Sequence, residues 1–232
     1  MVELLELKNV TKKYKNKVAL DDINITFKKG KIYGILGHNG AGKTTLIKLI
    51  NDLLTPTSGE ILVGGEKPGV NSKLVISYLP ERTYLDKQMT VDEVITFFKD
   101  FYSNFDEAKA RKLLKDLKLN SSDKICKMSK GMQEKVQIAL VMSRHADLYI
   151  LDEPLGGVDP ATRDYILRTI LTNFDDDASM IISTHMIADI ERILDEVIFI
   201  ENGKIALSGS ADYLRRKYSS SIDDIFRKTF KF

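Results

Sequence analysis

Residues Gly37 to Thr45 read Gly-His-Asn-Gly-Ala-Gly-Lys-Thr-Thr, between an apolar stretch at 32–36 and an apolar-periodic segment at 46–54. A strand, a glycine-rich turn and a helix, with Gly37, Gly42, Lys43 and Thr44 at this spacing, match the phosphate-binding loop pattern. The chemistry needs these residue types in this order. Glycines lack a Cβ, so the backbone wraps closely and aims its N–H groups inward. The helix that opens at the loop adds a partial positive charge. Lys43 supplies a mobile cation for the β- and γ-phosphates, and the Thr44 hydroxyl can ligate Mg²⁺. The remaining loop positions, His38, Asn39, Gly40, Ala41 and Thr45, are expected to contact the same nucleotide. A plain glycine-rich turn is the bland alternative, and the strand–loop–helix context favours the nucleotide. The loop alone does not say which nucleotide enzyme this is.

The 232 residues fit one large domain or two small ones. Hydrophobic residues make up 43% and charged residues 29%, ordinary for a globular protein with a real core. A net charge of +2 is too mild to argue for a nucleic-acid partner. Cys126 is the only cysteine, which rules out an internal disulfide and suits a reducing compartment. The N-terminus reads as neither a signal peptide nor an anchor, and no run approaches about 18 consecutive apolar residues. Any membrane role is therefore expected to come through a partner chain.

Residues 2–14 and 18–27 read as strands, with Ile23, Ile25 and Phe27 alternating with polar residues. The phosphate-loop helix is expected to run to about Leu54, where Thr55-Pro56-Thr57-Ser58-Gly59 breaks it. Short strands follow near 60–63 and 74–79. Residues 90–145 carry no strand pattern and read as a helical insertion, opened by the capping-box spacing of Thr90 and Glu93. Strand signals return at 147–151, 179–183 and 196–200. Asp159-Pro160 opens a helix between the first two. Asn202-Gly203 turns a hairpin into 204–208. The tail, 210–232, reads as helical. Alternating strands and helices predict an α/β fold with a mostly parallel sheet.

The stretch Leu148-Tyr149-Ile150-Leu151-Asp152-Glu153-Pro154 is an apolar strand that ends in two carboxylates. A buried parallel strand places its last residues at the carboxyl edge of the sheet, where ligands bind. Asp152 is placed to reach Mg²⁺, and Glu153 beside it is free to act as a general base on water. Asp-Glu pairs at strand ends also arise by chance. The phosphate loop upstream gives this pair its weight.

With these motifs in order, roughly residues 2 to 210 resemble an ATP-binding cassette (ABC) ATPase, the nucleotide-binding subunit of an ABC transporter. The resemblance implies a P-loop fold with an antiparallel β subdomain and an inserted helical subdomain. It implies an ATP-binding lobe at 1–81 and 146–209, a helical lobe at 82–145 and a helical tail at 210–232. Tyr14, in the lysine-rich turn Lys12–Lys17, falls where the family stacks an aromatic ring on adenine; on its own it reads as an ordinary strand tyrosine. Asp152 and Glu153 fall at the Mg²⁺ carboxylate and the catalytic glutamate. Gly156-Gly157-Val158-Asp159 matches the loop that crosses a dimer interface. Ser183-Thr184-His185 matches the motif whose histidine contacts the γ-phosphate.

Two positions depart from the family pattern. The signature Leu-Ser-Gly-Gly-Gln is here Met128-Ser129-Lys130-Gly131-Met132. Ser129 and Gly131 survive, a hydroxyl and a bare backbone N–H at a helix N-terminus, and the resemblance implies that they serve the ATP of a partner chain. Lys130 and Met132 replace contacts the family makes. Glu81, in Tyr78-Leu79-Pro80-Glu81, stands where the family usually has a glutamine that touches Mg²⁺. It can still ligate the metal while adding negative charge near the phosphates. Bacterial export and resistance ATPases look similar at both positions.

The implied partners are ATP, Mg²⁺, an integral membrane permease on a separate chain and a second ATPase subunit, identical or not. The implied location is cytoplasmic, on the inner face of the membrane. A soluble cassette acting on DNA or the ribosome, or a regulatory cassette that does not turn over, are the rival readings; neither long coiled-coil arms nor a second fused cassette is present. Lys43→Ala is expected to lower ATP affinity and turnover together, and unchanged ATP binding by calorimetry would overturn the assignment of the loop.

Overall fold

The computed structural model describes residues 3–175 and 177–230. Residue 2, expected to open the first strand, and residues 231–232 of the tail lie outside the described residues. In chain order, β1 (Leu5–Tyr14), β2 (Lys17–Phe27) and β3 (Ile32–Leu36) lead into α1 (Lys43–Ile50). Next come β4 (Ser58–Val63), α2 (Val70–Val75) and β5 (Ile76–Leu79). α3 (Val91–Phe101), α4 (Glu107–Asp116) and α5 (Lys130–Met142) follow without an intervening strand. β6 (Leu148–Asp152), α6 (Pro160–Thr172), β7 (Ser179–Thr184) and α7 (Ile187–Ile190) return to the sheet. β8 (Glu196–Glu201), β9 (Lys204–Ser210), α8 (Ala211–Tyr218) and α9 (Ile222–Thr229) complete the described chain.

The strands form two sheets. An antiparallel sheet runs β2-β1-β4, and a larger one runs β5-β6-β7-β3-β8-β9, parallel except for the β8–β9 hairpin. The mixed sheet with its antiparallel companion and helical insertion is the P-loop fold expected from the sequence. Buried parallel strands read as unbroken apolar runs, and all of β6 is buried. Its side chains alternate between two cores. Leu148 and Ile150 join Leu46, Ile47 and Ile50 of α1 and the inner face of the antiparallel sheet. Tyr149 and Leu151 join the residues of α3, α4 and α5.

Local signals act as their chemistry dictates. Glu93 N–H donates to Thr90 Oγ1 at 3.2 Å, and Thr90 N–H donates to Glu93 Oε2 at 2.7 Å, closing the capping box of α3. Asp159 Oδ1 accepts from Thr162 N–H at 3.1 Å ahead of Pro160 in α6. Three expectations shift. α1 stops at Ile50 instead of near Leu54, because Asp52 turns left-handed (φ 56) and Leu53 N–H closes back on Lys48 O at 2.9 Å. Residues 74–75, read as strand, are the end of α2; their apolar character suits either structure at this length. The tail breaks at Ser219 (φ 47) into α8 and α9. Among the described residues no helix is long and apolar enough to cross a membrane.

One side chain ties the helical insertion to the sheet. Arg144, just past α5, is 4% exposed. Its guanidinium donates to Ile76 O at 2.8 Å, Lys73 O at 2.8 Å and Asn104 Oδ1 at 3.1 Å, and it lies 3.8 Å from the Tyr102 ring centroid. The fork satisfies carbonyls at the α2–β5 junction that have no strand beyond them. Arg144→Met keeps the apolar stem and strands those carbonyls. A loss of about 2–4 kcal/mol is expected by urea unfolding, since each buried group left without a partner costs about 1–3 kcal/mol. An unchanged midpoint would contradict this account.

Candidate functional site

Strands β6, β7 and β3 are parallel neighbours, so their carboxyl ends lie side by side. Asp152 pairs with Ser183, and Leu36 pairs with Thr184. The sequence changes character at each of these ends. β3 opens into the glycine-rich loop, β6 ends in Asp152-Glu153, and β7 ends in Ser183-Thr184 before His185.

The loop has the shape the glycines permit. Gly40 and Gly42 are left-handed, at φ 82 and φ 117. A Cβ on Gly42 would meet Ala19 O at 2.8 Å, and one on Gly37 would meet Ile200 O at 2.5 Å. α1 begins directly after Gly42 with no side-chain cap and no acidic residue in its first turn. Its leading N–H groups and helix dipole therefore face the loop uncompensated, the arrangement that receives an anion.

Charged groups converge under the loop. Lys43 is 5% exposed; its Nζ donates to Gly37 O at 2.7 Å and His38 O at 3.3 Å. The same ammonium lies 3.3 Å from Glu153 Oε1, and Glu153 Oε2 lies 3.0 Å from His185 Nδ1. Glu153 thus bridges the loop cation and the histidine, where the sequence suggested a free carboxylate. Its backbone is left-handed (φ 51), strained for a residue with a Cβ. Asp152 is 1% exposed and accepts hydrogen bonds at Oδ1 from Ser183 Oγ and, at 3.4 Å, from Thr44 Oγ1. Burial pushes its carboxyl above the ordinary range, the two hydroxyls oppose that shift, and the charges of Glu81 and Glu153 add to it.

A cleft of about 920 Å³ opens over this cluster. Tyr14, His38, Asn39, Gly40, Gly42, Lys43, Thr44 and Thr45 line it, as do Glu81, Glu153 and His185. Gly37 and Ala41 are buried beneath the loop, and Asp152 connects to the cleft through Thr44. Ser129 and Gly131 do not line it. Ser129 is exposed at the start of α5, its Oγ accepting from Met132 N–H at 3.3 Å.

The structure adds residues that the sequence reading did not single out. Arg82 and Thr83 line the cleft beside Glu81, and Gln133, Glu134 and Gln137 reach it from α5. Gln137 carried a readable signal, a polar residue inside the apolar run Val136–Met142, and it is 2% exposed. Glu134 packs its carboxylate on Gly157, where any Cβ would fall 1.7 Å from Oε1. Burial raises the Glu134 carboxyl, and the Lys130 ammonium opposes the shift.

Among the described residues no three His, Cys, Asp or Glu side chains converge as a self-sufficient metal cage. Asp152 Oδ2 is nevertheless buried with no hydrogen-bond partner, beside the Thr44 hydroxyl on Oδ1. One open carboxylate oxygen and one hydroxyl are hard donors that suit a divalent cation sharing its shell with phosphate oxygens.

The sequence profile of the ABC transporter family matches residues 20–156, from the second strand through the Asp152-Glu153 pair. The chain belongs to that family. It is 33% identical, over 92% of its length, to an uncharacterised ABC transporter ATP-binding protein of Methanocaldococcus jannaschii, of which it covers 80%. It is 31% identical to the SkfA peptide export ATP-binding protein of Bacillus subtilis, over 88% of each chain. Among solved structures, the ATP-binding subunit of an ABC transporter superposes with a TM-score of 0.88 at 29% identity, over 98% of this chain and 100% of the other. As a member of this family, the chain is an ABC transporter ATP-binding subunit and an ATPase.

Removing the Ser183 hydroxyl tests the balance at Asp152. The hydroxyl stabilises the charged carboxylate, so Ser183→Ala should raise the Asp152 titration further. Near neutral pH the variant should lose roughly 1.5–3 kcal/mol, the range for hydrogen bonds to charged groups. The deficit should shrink as pH falls through the already elevated Asp152 titration, because the neutral acid needs the hydroxyl less. Urea unfolding at several pH values measures it; a pH-independent deficit would contradict the role of charge.

Proposed function

We propose that this chain is the motor of an ABC transporter in which two cassettes close head to tail around two ATP molecules and drive a separate membrane permease. The observation that carries the reading is the division of the anion-binding elements. Lys43, Thr44 and other loop residues line the chain's own cleft; at the start of α5 Lys130 reaches that cleft, whereas Ser129 and Gly131 on either side of it do not. An exposed hydroxyl that caps the start of α5, with a glycine two residues on, suits the nucleotide of a second cassette, since capping and phosphate contact are compatible.

Within one site the residues divide the work by chemistry. Tyr14 offers a ring face to adenine. The loop from Gly37 to Thr45 wraps the phosphates, and Lys43 balances charge on the β,γ-oxygens. Thr44 and Asp152 would hold Mg²⁺, with Glu81 at the rim of the same cleft. Such an ion would supply positive charge to the β- and γ-phosphate groups. Glu153 takes a proton from water as the water oxygen attacks the γ-phosphorus in line. The bond from phosphorus to the ADP oxygen breaks, and ADP and inorganic phosphate leave. His185, hydrogen-bonded to Glu153, orients that carboxylate and offers its other ring nitrogen toward the γ-phosphate.

The ATP-binding lobe in this reading comprises 1–81 and 146–209, with the helical lobe at 82–145 and the tail at 210–232. Between the lobes lies a second, more apolar groove of about 410 Å³, lined by Leu53, Tyr84, Phe98, Tyr102 and Arg144 among others. Beside it the aromatic stretch of α3 splits. Phe98 is buried, while Phe97 and Phe101 are 53% and 69% exposed with ring centroids 5.7 Å apart. An apolar groove with exposed aromatic rings at its edge suits a cytoplasmic segment of the permease. Such docking would hold the cassette on the inner face of the membrane.

Ser129→Arg puts a bulky cation where the partner's γ-phosphate must sit, and Lys43→Ala disables the loop. Each variant alone should be inactive. Mixed, they form a heterodimer with one site spoiled twice and one site intact. ATPase activity should therefore reappear, to roughly a fraction of wild type set by the heterodimer population. No recovery, with heterodimers demonstrated and wild-type–mutant mixtures active, would place Ser129 and Lys43 in a single chain's site.

A further inference from the structure

The C-terminal helix contributes nothing to the cleft, yet it touches the phosphate loop. α9 is amphipathic. Ile222, Ile225 and Phe226 are buried, Asp224, Arg227 and Lys228 face outward, and Phe230 is buried one turn beyond Phe226. Phe226 and Phe230 pack on each other with centroids 4.5 Å apart, and on Phe199 of β8 at 5.3 and 5.9 Å. The fourth ring of this cluster comes from the loop itself: His38 lies 5.0 Å from Phe226 and 5.7 Å from Phe230.

The loop needs such a hold. Gly40 and Gly42 widen the conformational space of this segment, and Asn39 and Gly40 are exposed. Its backbone is held by Ala41 N–H donating to His38 O at 3.2 Å and Gly203 N–H donating to Ala41 O at 2.9 Å, and Gly37 runs too close to Ile200 O to carry a Cβ. Lys43 Nζ holds the carbonyls of Gly37 and His38. A bound phosphate competes for that same ammonium, which weakens the internal hold when the loop must be most exact. The His38 ring packs into the α9 cluster, a hold that does not run through the Lys43 ammonium.

We propose that Phe226 and Phe230 are positioning residues for nucleotide binding. Through the His38 ring they keep the phosphate loop in the arrangement that receives the polyphosphate, so ATP affinity depends on how the C-terminal helix is seated. The inference rests on the reading of Gly37–Thr45 as the phosphate site. It also assigns His38 a job separate from hydrogen bonding to phosphate, since an aromatic ring of another kind can fill the same cluster.

The test uses the full chain and a non-hydrolysable ATP analogue, with affinity measured by calorimetry well below the unfolding temperature of each variant. His38→Ala removes the ring from the loop side without opening the α9 core. A loop that is competent one-tenth of the time binds roughly tenfold more weakly, and a loss of that order is expected. His38→Phe should restore affinity to near wild type. Phe226→Ala should weaken binding on its own but add nothing to His38→Ala, because the two act through one contact. The proposal is overturned if His38→Ala binds like wild type. It is also overturned if His38→Phe is as weak as His38→Ala, or if the losses multiply in the double variant. Failure of the wild-type chain to bind the analogue would overturn the reading of the loop, and the inference with it.

Discussion

A buried ammonium governs the centre of this molecule. Lys43 sits at 5% exposure at the start of α1, and an isolated charge at that depth is costly. Two loop carbonyls and the Glu153 carboxylate compensate it. The compensation shapes everything nearby. Two loop carbonyls fold over the ammonium, Glu153 meets it from a left-handed backbone, and His185 sits on the other oxygen of the same carboxylate. In the proposed function an incoming triphosphate competes with Glu153 for this cation. Charge arriving at Lys43 loosens Glu153, and a loosened carboxylate is available to accept a proton from water.

The scaffold that holds this cluster is a sheet with a different core on each face. One face packs α1 and the antiparallel sheet, the other packs the helical insertion and α9. Because side chains alternate along each strand, Leu148 and Tyr149 of β6 belong to separate cores although they are neighbours in sequence. A displacement of one packed layer therefore acts on strand ends that the other layer also positions. On the same face, Arg144 ties the helical insertion to the edge strand β5, and the rings of α9 pack on His38 in the loop after β3.

The fold was legible wherever one residue pattern admits one structure. The apolar run of β6, the capping box at Thr90 and the Asp159-Pro160 start all depend on chemistry within a few residues, and all stand where the pattern puts them. The end of α1 was not legible, because a left-handed Asp52 is a backbone choice that the side chain permits without announcing. Leu74 and Val75 were read as strand and end α2, since a short apolar run has no period to tell the two apart. Within the site, the loop and the two carboxylates carry a motif, and the fold brings these residues together. Gln133, Glu134 and Gln137 reach the cleft only because α5 crosses it, a consequence of tertiary packing. The bridge from Glu153 to Lys43 likewise joins residues brought together by the order of strands β6, β7 and β3.

The departures at the start of α5 make sense together. A lysine where the family has glycine adds a charged side chain beside Ser129, and Lys130 is 74% exposed on its side chain. Its ammonium lies 3.7 Å from Glu134 one turn later, an exposed cation beside a largely buried carboxylate. Its effect is on Glu134, whose carboxyl is raised by burial and drawn back by this cation. The Glu134 carboxylate in turn lies flat on Gly157, in the loop that follows Glu153, and only a glycine leaves room for it. Lys130, Glu134 and Gly157 thus form one contact between the signature helix and the segment after the second carboxylate. A substitution that removes the Lys130 ammonium leaves the upward shift of the Glu134 carboxyl less opposed, and a side chain at Gly157 displaces it. The two segments that would meet the partner cassette in the proposed dimer are therefore already in contact within one chain, through the Glu134 carboxylate.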